Sequence, residues 1–231
     1  MLNPLHPLKN RLLAELDRVE YHRLSPFLEL ISLAHGDVLY QANGKMTYVY
    51  FPVTATISID YLLEDGGTSE ITRIGNEGML GVSLFMGSGR SAGRAAVQAA
   101  GFAYRLSSAR LMEEFYNKGP LLRLLLRYTQ ARLTQVSQLA ACNRLHPIDQ
   151  RLARWMLMCQ DRLDADLLPM THEFFAEMLG SGRPSVSVAA AVLQRAGCIQ
   201  YARGTVKIVD RELLEKAACE CYGVMQEYNR W

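Results

Sequence analysis

The sequence predicts an α+β chain: an N-terminal antiparallel β-roll, a long helix, and a C-terminal winged helix-turn-helix. Three observations carry this. Residues 27–106 alternate short β-branched or aromatic runs with glycine-containing turn signals. Residues 121–143 contain neither glycine nor proline. Residues 171–197, THEFFAEMLGSGRPSVSVAAAVLQRAG, place two short amphipathic stretches around a glycine-centred break, and a hairpin pattern follows.

The elements follow in order. LKNRLLAELDRV, residues 8–19, repeats apolar positions at helical spacing and predicts one short helix. FLELISLAHGDVLY, MTYVYFPVTATISIDYLL, TSEITRI and RAAVQAAGFAYRLS supply the strands of a compact antiparallel sandwich or roll. GNEGMLGVSLFMGSGRSAG interrupts them with a loop and a helical turn. Ser107 or Ser108 caps a helix with Glu113 and Glu114 near its first turn. Gly119-Pro120 then opens the long helix. Its positions Leu122, Leu126, Thr129, Leu133, Val136 and Ala140 step by fours and threes, as in a coiled-coil seam. Leu121, Leu125, Tyr128 and Leu139 form a neighbouring stripe. Such a helix can pack on its own β domain and on a second subunit; the alternative is one thick core face within a monomer.

His146-Pro147 ends that helix, because proline lacks an N–H and restricts its predecessor. IDQRLARWMLMCQDRL is a further helix, DADLLPM a connector, CIQYAR-G-TVKIVD a hairpin, and RELLEKAACECYGVMQEY a final helix. The expected divisions are a β-roll sensor over 1–118, a dimerisation helix over 119–146 and a winged domain over 147–231.

Composition excludes several classes. Apolar content of 49% and charged content of 21% describe a globular chain, not a disordered one. No signal peptide or bilayer-spanning run is present, so the expected location is the cytoplasm, with no membrane partner. No P-loop, His-Glu-x-x-His or nucleophile elbow appears, and no enzyme is expected. The cysteines, 142, 159, 198, 219 and 221, are read as reduced, buried thiols. Cys219-x-Cys221 is too close for the usual zinc pair and has no partner pair in sequence, so no metal site is expected. The net charge is only +2, yet no acid lies between Glu114 and Asp149 or between Glu177 and Asp210. Local positive potential can attract phosphate where the total charge does not.

In the helix pair, Thr171 can cap the first helix, and Gly180 can end it with a positive φ. Pro184 suits the first turn of the second helix. Val186, Ala189, Ala190 and Leu193 face the core. A helix that begins with Arg183, Ser185 and Ser187 and carries no acid fits a major groove entered by its N-terminal end. Arg183 can reach a guanine edge or a phosphate, and the serines can approach the backbone. Thr171, His172, Pro184, Arg203 and Lys207 complete the expected contact set. A plain αα-corner with a surface arginine is the competing reading.

On these residues the chain resembles the Crp–Fnr superfamily of bacterial transcription regulators, over essentially its whole length. Thr171 through Leu193 aligns without a gap with the family's helix pair, including Gly180, Arg183 and Val186. It departs from the catabolite-activator type at Pro184, where that type has glutamate, and at Val188, where it has a second arginine, so a different DNA site is implied. The resemblance implies a cyclic-nucleotide-binding-like β-roll and a homodimer on near-palindromic duplex DNA, with RNA polymerase as a further partner. Two-fold symmetry would set the recognition helices about 34–36 Å apart.

It also implies an effector cradle. Leu80-Gly81-Val82-Ser83-Leu84-Phe85 followed by Arg90-Ser91-Ala92 is similar to the family's phosphate cassette, with Arg94 competing with Arg90 for the aligned position. The glutamate that would hold a ribose hydroxyl is replaced by Gly81 or Val82, which speaks against cyclic AMP; the effector is left open. Glu77 is read as a turn residue. Ser137 and Gln138 stand where the family contacts the base, or else are polar positions beside the seam. No iron–sulfur cluster is expected, because the family's oxygen sensors use N-terminal cysteines and the first here is Cys142. The alternative function is a cyclic-nucleotide-responsive or ligand-free interaction protein whose winged domain binds protein.

Overall fold

A computed structural model describes residues 3–62, 68–163, 166–168, 170–202 and 204–228. The chain forms two compact units, meeting at residues 132 and 133 within one helix.

The first unit opens with a 3-10 turn at Pro7–Lys9, then α1 (Arg11–Ala14) and α2 (Arg18–Leu24). The single helix predicted over 8–19 is therefore two. Asp17 takes an extended backbone, and its carboxylate accepts from the Glu20 N–H at 2.8 Å, which starts the second helix. Seven strands follow: β1 (Glu29–Leu33), β2 (Val38–Tyr40), β3 (Tyr48–Pro52), β4 (Thr56–Leu62), β5 (Thr68–Ile74), β6 (Arg94–Ala99) and β7 (Gly101–Ser107). They form two antiparallel sheets, ordered β1-β7-β3 and β2-β6-β4-β5. The Asp-Gly-Gly turn signal at 65–67 lies outside the described residues.

The twofold period of a strand divides the core. Val49 and Phe51 of β3 pack with Leu106 and Leu125, whereas Tyr50 between them packs with Ile57 and Val97. α3 (Val82–Phe85) interrupts the strands. α4 (Ser108–Tyr116) is capped by Ser107, whose hydroxyl accepts from the Arg110 N–H at 3.3 Å. Glu113 and Glu114 lie beyond its first turn, where they accept from Arg110 at 2.6 and 2.7 Å.

α5 runs from Pro120 to Leu145. Glu20 of α2 accepts from the Leu121 N–H at 2.8 Å and so caps it from outside. Leu121, Leu124, Leu125 and Tyr128 are buried on the first unit. The Tyr128 hydroxyl donates to the Met79 carbonyl and accepts from the Met79 N–H, both at 3.0 Å.

The second unit continues with α6 (Ile148–Leu163), β8 (Leu167–Leu168), α7 (His172–Leu179), α8 (Arg183–Arg195), β9 (Ile199–Ala202), β10 (Thr205–Ile208), α9 (Arg211–Ala217) and α10 (Cys221–Tyr228). The strands pair as β8-β10-β9, so the hairpin gains a third strand from the segment expected to be a connector. The terminal helix expected as one element is two, because Ala218 is extended and the helix restarts at Cys221. Leu152, Met156, Phe175, Leu179, Val186, Leu193, Val206 and Leu214 share one core. Arg211 fastens α9 to α6 by donating to Asp161 at 2.8 Å and Gln160 at 2.6 Å. Among the described residues, no helix is long and apolar enough to cross a membrane.

Candidate nucleic-acid interface

The helix pair is built locally. The Thr171 hydroxyl accepts from the Phe174 N–H at 3.2 Å, and α7 begins. Gly180, at φ +57°, turns the chain where a side chain would be strained. Gly182 is extended and makes no side-chain cap, so α8 begins with an exposed, uncapped first turn. Pro184 costs nothing there, since an N–H in the first turn has no helical partner. Phe175, Leu179, Val186, Ala189, Ala190 and Leu193 then bury the facing stripes.

What remains outside is a narrow face. Arg183, Pro184, Ser185, Val188, Ala191, Val192 and Arg195 are exposed at helical spacing. Arg183 sits at the tip with its side chain 67% exposed, paired at 2.9 Å to Glu173 of α7, which is 57% exposed. Exposed ion pairs are weak and screened by salt, so this one can open to a stronger anion. The Glu173 carboxyl is held below its ordinary range, first by its own backbone N–H and then by Arg183.

Behind the tip, the expected contacts separate into two kinds. Thr171 and Lys207 are exposed. Ser187 and His172 instead engage each other, Oγ to Nδ1, at 2.9 Å. The His172 ring stacks on Tyr201 of β9 with centroids 4.0 Å apart and planes 21° off parallel. Burial lowers the His172 pKa, with Arg183 adding to it and Glu173 opposing it. The pair thus locks α7, α8 and the hairpin together. Gly204, at the hairpin turn, lies against the Thr171 side chain. Arg203 lies outside the described residues.

Two participants lie outside the expected contact set. Tyr201 reads there only as a strand aromatic. Val188, noted as a departure from the family's arginine, is 64% exposed at the middle of the outward face.

The expected effector residues each have local surroundings of their own. Gly81, at φ +141°, stands against the Val49 side chain, so neither the backbone nor the space admits a glutamate there. Val82 starts α3. The Arg90 guanidinium donates to the Asn43 carbonyl at 2.8 Å, and the buried Ser91 hydroxyl donates to the Gly93 carbonyl at 2.7 Å. Arg94 faces Asp60 across β6 and β4 at 3.7 Å. The Glu77 carboxylate accepts from the Gly75 N–H at 3.1 Å, within its own turn. Ser137 and Gln138 belong to the second unit, where Ser137 is exposed and Gln138 donates to the Cys221 sulfur at 3.0 Å.

The seam residues of α5 also divide. Thr129 is buried and returns its hydroxyl to the Leu125 carbonyl at 2.9 Å. Leu122 is half-buried. Leu126, Leu133, Val136 and Ala140 are exposed, Leu133 by 58%.

Residues 150–217 match the family model of the Crp-like helix-turn-helix domain. No curated protein matches the chain. Solved structures share its fold. A transcriptional regulator of the Crp/Fnr family from Eubacterium rectale is 18% identical, with 91% of this chain and 98% of that one covered and a TM-score of 0.69. FixK2 from Bradyrhizobium japonicum is 20% identical, with 83% and 98% covered and a TM-score of 0.71. The c-di-GMP responsive global regulator CLP of Xanthomonas campestris is 15% identical, with 84% and 100% covered and a TM-score of 0.69. At such identities the likeness establishes the fold.

Proposed function

We propose that this chain, a member of the Crp–Fnr superfamily by its helix-turn-helix domain and its fold, is a sequence-specific regulator that binds duplex DNA as a homodimer. The observation that carries the reading is the exposed, acid-free outer face of α8, tipped by Arg183 at an uncapped helix start. The first-turn amides and the guanidinium suit phosphate and guanine acceptors. Val188 replaces a charged reader with an apolar one, and its natural complement is the methyl group of thymine. The bare strip of Leu126, Leu133, Val136 and Ala140 supports a partner helix from a second copy, since Leu121, Leu125 and Tyr128 of the neighbouring stripe are already packed on the first unit.

The β-roll then acts without the family's ribose contact. Gly81 excludes the carboxylate, and Arg90 and Arg94 already have acceptors. This speaks against cyclic AMP and leaves the effector open.

Selection of operators from random duplex DNA tests this reading. The expected product is a near-palindrome, bound with log affinity falling by about 0.9 per contacted phosphate for each tenfold rise in salt. Leu133→Asp with Val136→Asp is expected to give a folded monomer that fails on the two-site operator. Recovery of no consensus sequence, with binding indifferent to salt, would overturn the proposal.

A further inference from the structure

The cysteines set aside in the sequence meet in the second unit. Cys142 lies in the last turn of α5, and His146 follows four residues on, its N–H still bonded to the Cys142 carbonyl at 3.1 Å. Cys219 lies in the break between α9 and α10, and Cys221 is the first residue of α10. The three thiols are buried and form a small cluster of their own. Sequence spacing hides the arrangement: the partner of Cys219-x-Cys221 is a Cys-x-x-x-His pair more than seventy residues earlier.

We propose that Cys142, His146, Cys219 and Cys221 form a closed tetrahedral site for one divalent metal ion, Zn(II). Their four donor atoms all lie within 4.8 Å of one another. Cys142 Sγ and Cys219 Sγ are 3.5 Å apart, and Cys221 Sγ and His146 Nδ1 are 3.5 Å apart. Zinc holds sulfur at about 2.3 Å and nitrogen at about 2.0–2.1 Å, so a tetrahedron sets S···S near ~3.8 Å and S···N near ~3.6 Å. The two 3.5 Å separations already stand within a few tenths of an ångström of these values, and the widest, at most 4.8 Å, would close by up to ~1 Å around the ion. A multi-iron cluster interposes metal and sulfide between its thiolates and needs a wider cage than this.

The surroundings match a metal site on three further counts. His146 presents Nδ1 to the thiols while its Nε2 meets the Glu220 carboxylate at 3.1 Å, the outer partner that fixes the tautomer of a ligating imidazole. Gln138 donates to the Cys221 sulfur at 3.0 Å, as suits a thiolate. The third count is charge. Arg154 is buried; among the described residues its Nε has no hydrogen-bond partner and its Nη1 meets the sulfurs of Met158 at 3.2 Å and Met225 at 3.5 Å. A buried guanidinium needs a counter-charge. Arg154 acts electrostatically on both Cys142 and Cys219. Three thiolates and one Zn(II) sum to one negative charge, which neutral thiols cannot supply. The soft, sulfur-rich donor set also selects zinc over magnesium or calcium. The ion would tie the end of α5 to the turn between α9 and α10.

The test uses the full chain, purified with reductant and without chelator. Mass spectrometry of the metals is expected to find one zinc per chain. Exchange for Co(II) is expected to give the intense d–d bands of tetrahedral thiolate cobalt. Cys219→Ser and His146→Gln are expected to lose those bands, while Cys198→Ser, a buried thiol outside the cluster, keeps them. If the cluster variants fail to fold, the unaltered chain still decides. A folded chain that takes up neither Zn(II) nor Co(II), that carries a Cys142–Cys219 disulfide instead, or that binds metal equally well as Cys219→Ser overturns the assignment.

Discussion

Arg90 and Arg183 occupy segments that look alike in sequence: each is a cation among glycines and serines, and each is a candidate for holding phosphate. The fold treats them oppositely. The Arg90 segment closes on itself. Its guanidinium sits on the Asn43 carbonyl, Ser91 is buried against Gly93, and the nearby Arg94 has Asp60. The Arg183 segment stays open. Its partner Glu173 is exposed, and the helix behind it lacks a cap. The contrast teaches that local sequence can place a cation in a loop, but only tertiary structure decides whether an acceptor is already supplied. An arginine bonded to a backbone carbonyl positions the chain; one paired only with an exposed carboxylate can exchange it for a ligand.

The sharpest way to break this comparison is a pair of substitutions measured side by side. Arg183→Ala is expected to weaken binding to the selected operator by about 1–3 kcal/mol per subunit, with specificity relaxed at one base position and the dimer intact. Arg90→Ala is expected to leave operator affinity unchanged in the absence of effector, because its bond to Asn43 is internal to the β-roll. Equal losses from the two would erase the distinction. Quantitative gel-shift titration with wild-type and base-substituted operators reads both.

A smaller effect sharpens the same contrast within α8. Val188 is exposed where an apolar side chain gains nothing from water. Val188→Ala is expected to cost about 1 kcal/mol, roughly fivefold, on operators with thymine at the facing position, and nothing on operators with uracil there. An equal loss on both would mean that the valine serves packing and does not read the methyl group.

Much of this was legible because the signals were local. The helix pair followed from one positive-φ glycine, one first-turn proline and two apolar stripes, all within 171–197. The strands followed from short β-branched and aromatic runs between turn signals. What escaped depended on distant partners. The helix predicted over 8–19 broke because the Asp17 carboxylate found the Glu20 amide, a cap that periodicity cannot weigh against continuation. β8 is two residues long, too short for any pattern, and exists because β10 offers it an edge. Ser187 reads in sequence as a backbone contact, and its hydroxyl meets His172, fifteen residues away, a partner that local sequence does not show. The cysteine cluster was illegible for the same reason at longer range.

That lock gives the smallest and most specific test. His172 is lodged between Ser187 and Tyr201, and burial lowers its pKa below the ordinary 6.5. The unfolded chain therefore binds the proton more readily than the folded one. Stability attributable to this group is full above pH 6.5 and declines as the pH falls through 6.5 toward the lowered value. Glu173 and Arg183 also act on the ring, the carboxylate raising and the guanidinium lowering its affinity for the proton. His172→Gln, which can still meet Ser187, is expected to flatten this part of the pH dependence of melting in the full chain. It is also expected to flatten the matching loss of operator affinity, because the proton that loosens α7 from the hairpin displaces the helix that carries Arg183. A wild-type chain whose melting and binding are level from pH 7 to pH 5.5, or a variant with the same slope as wild type, would show that α8 is held by its apolar core alone.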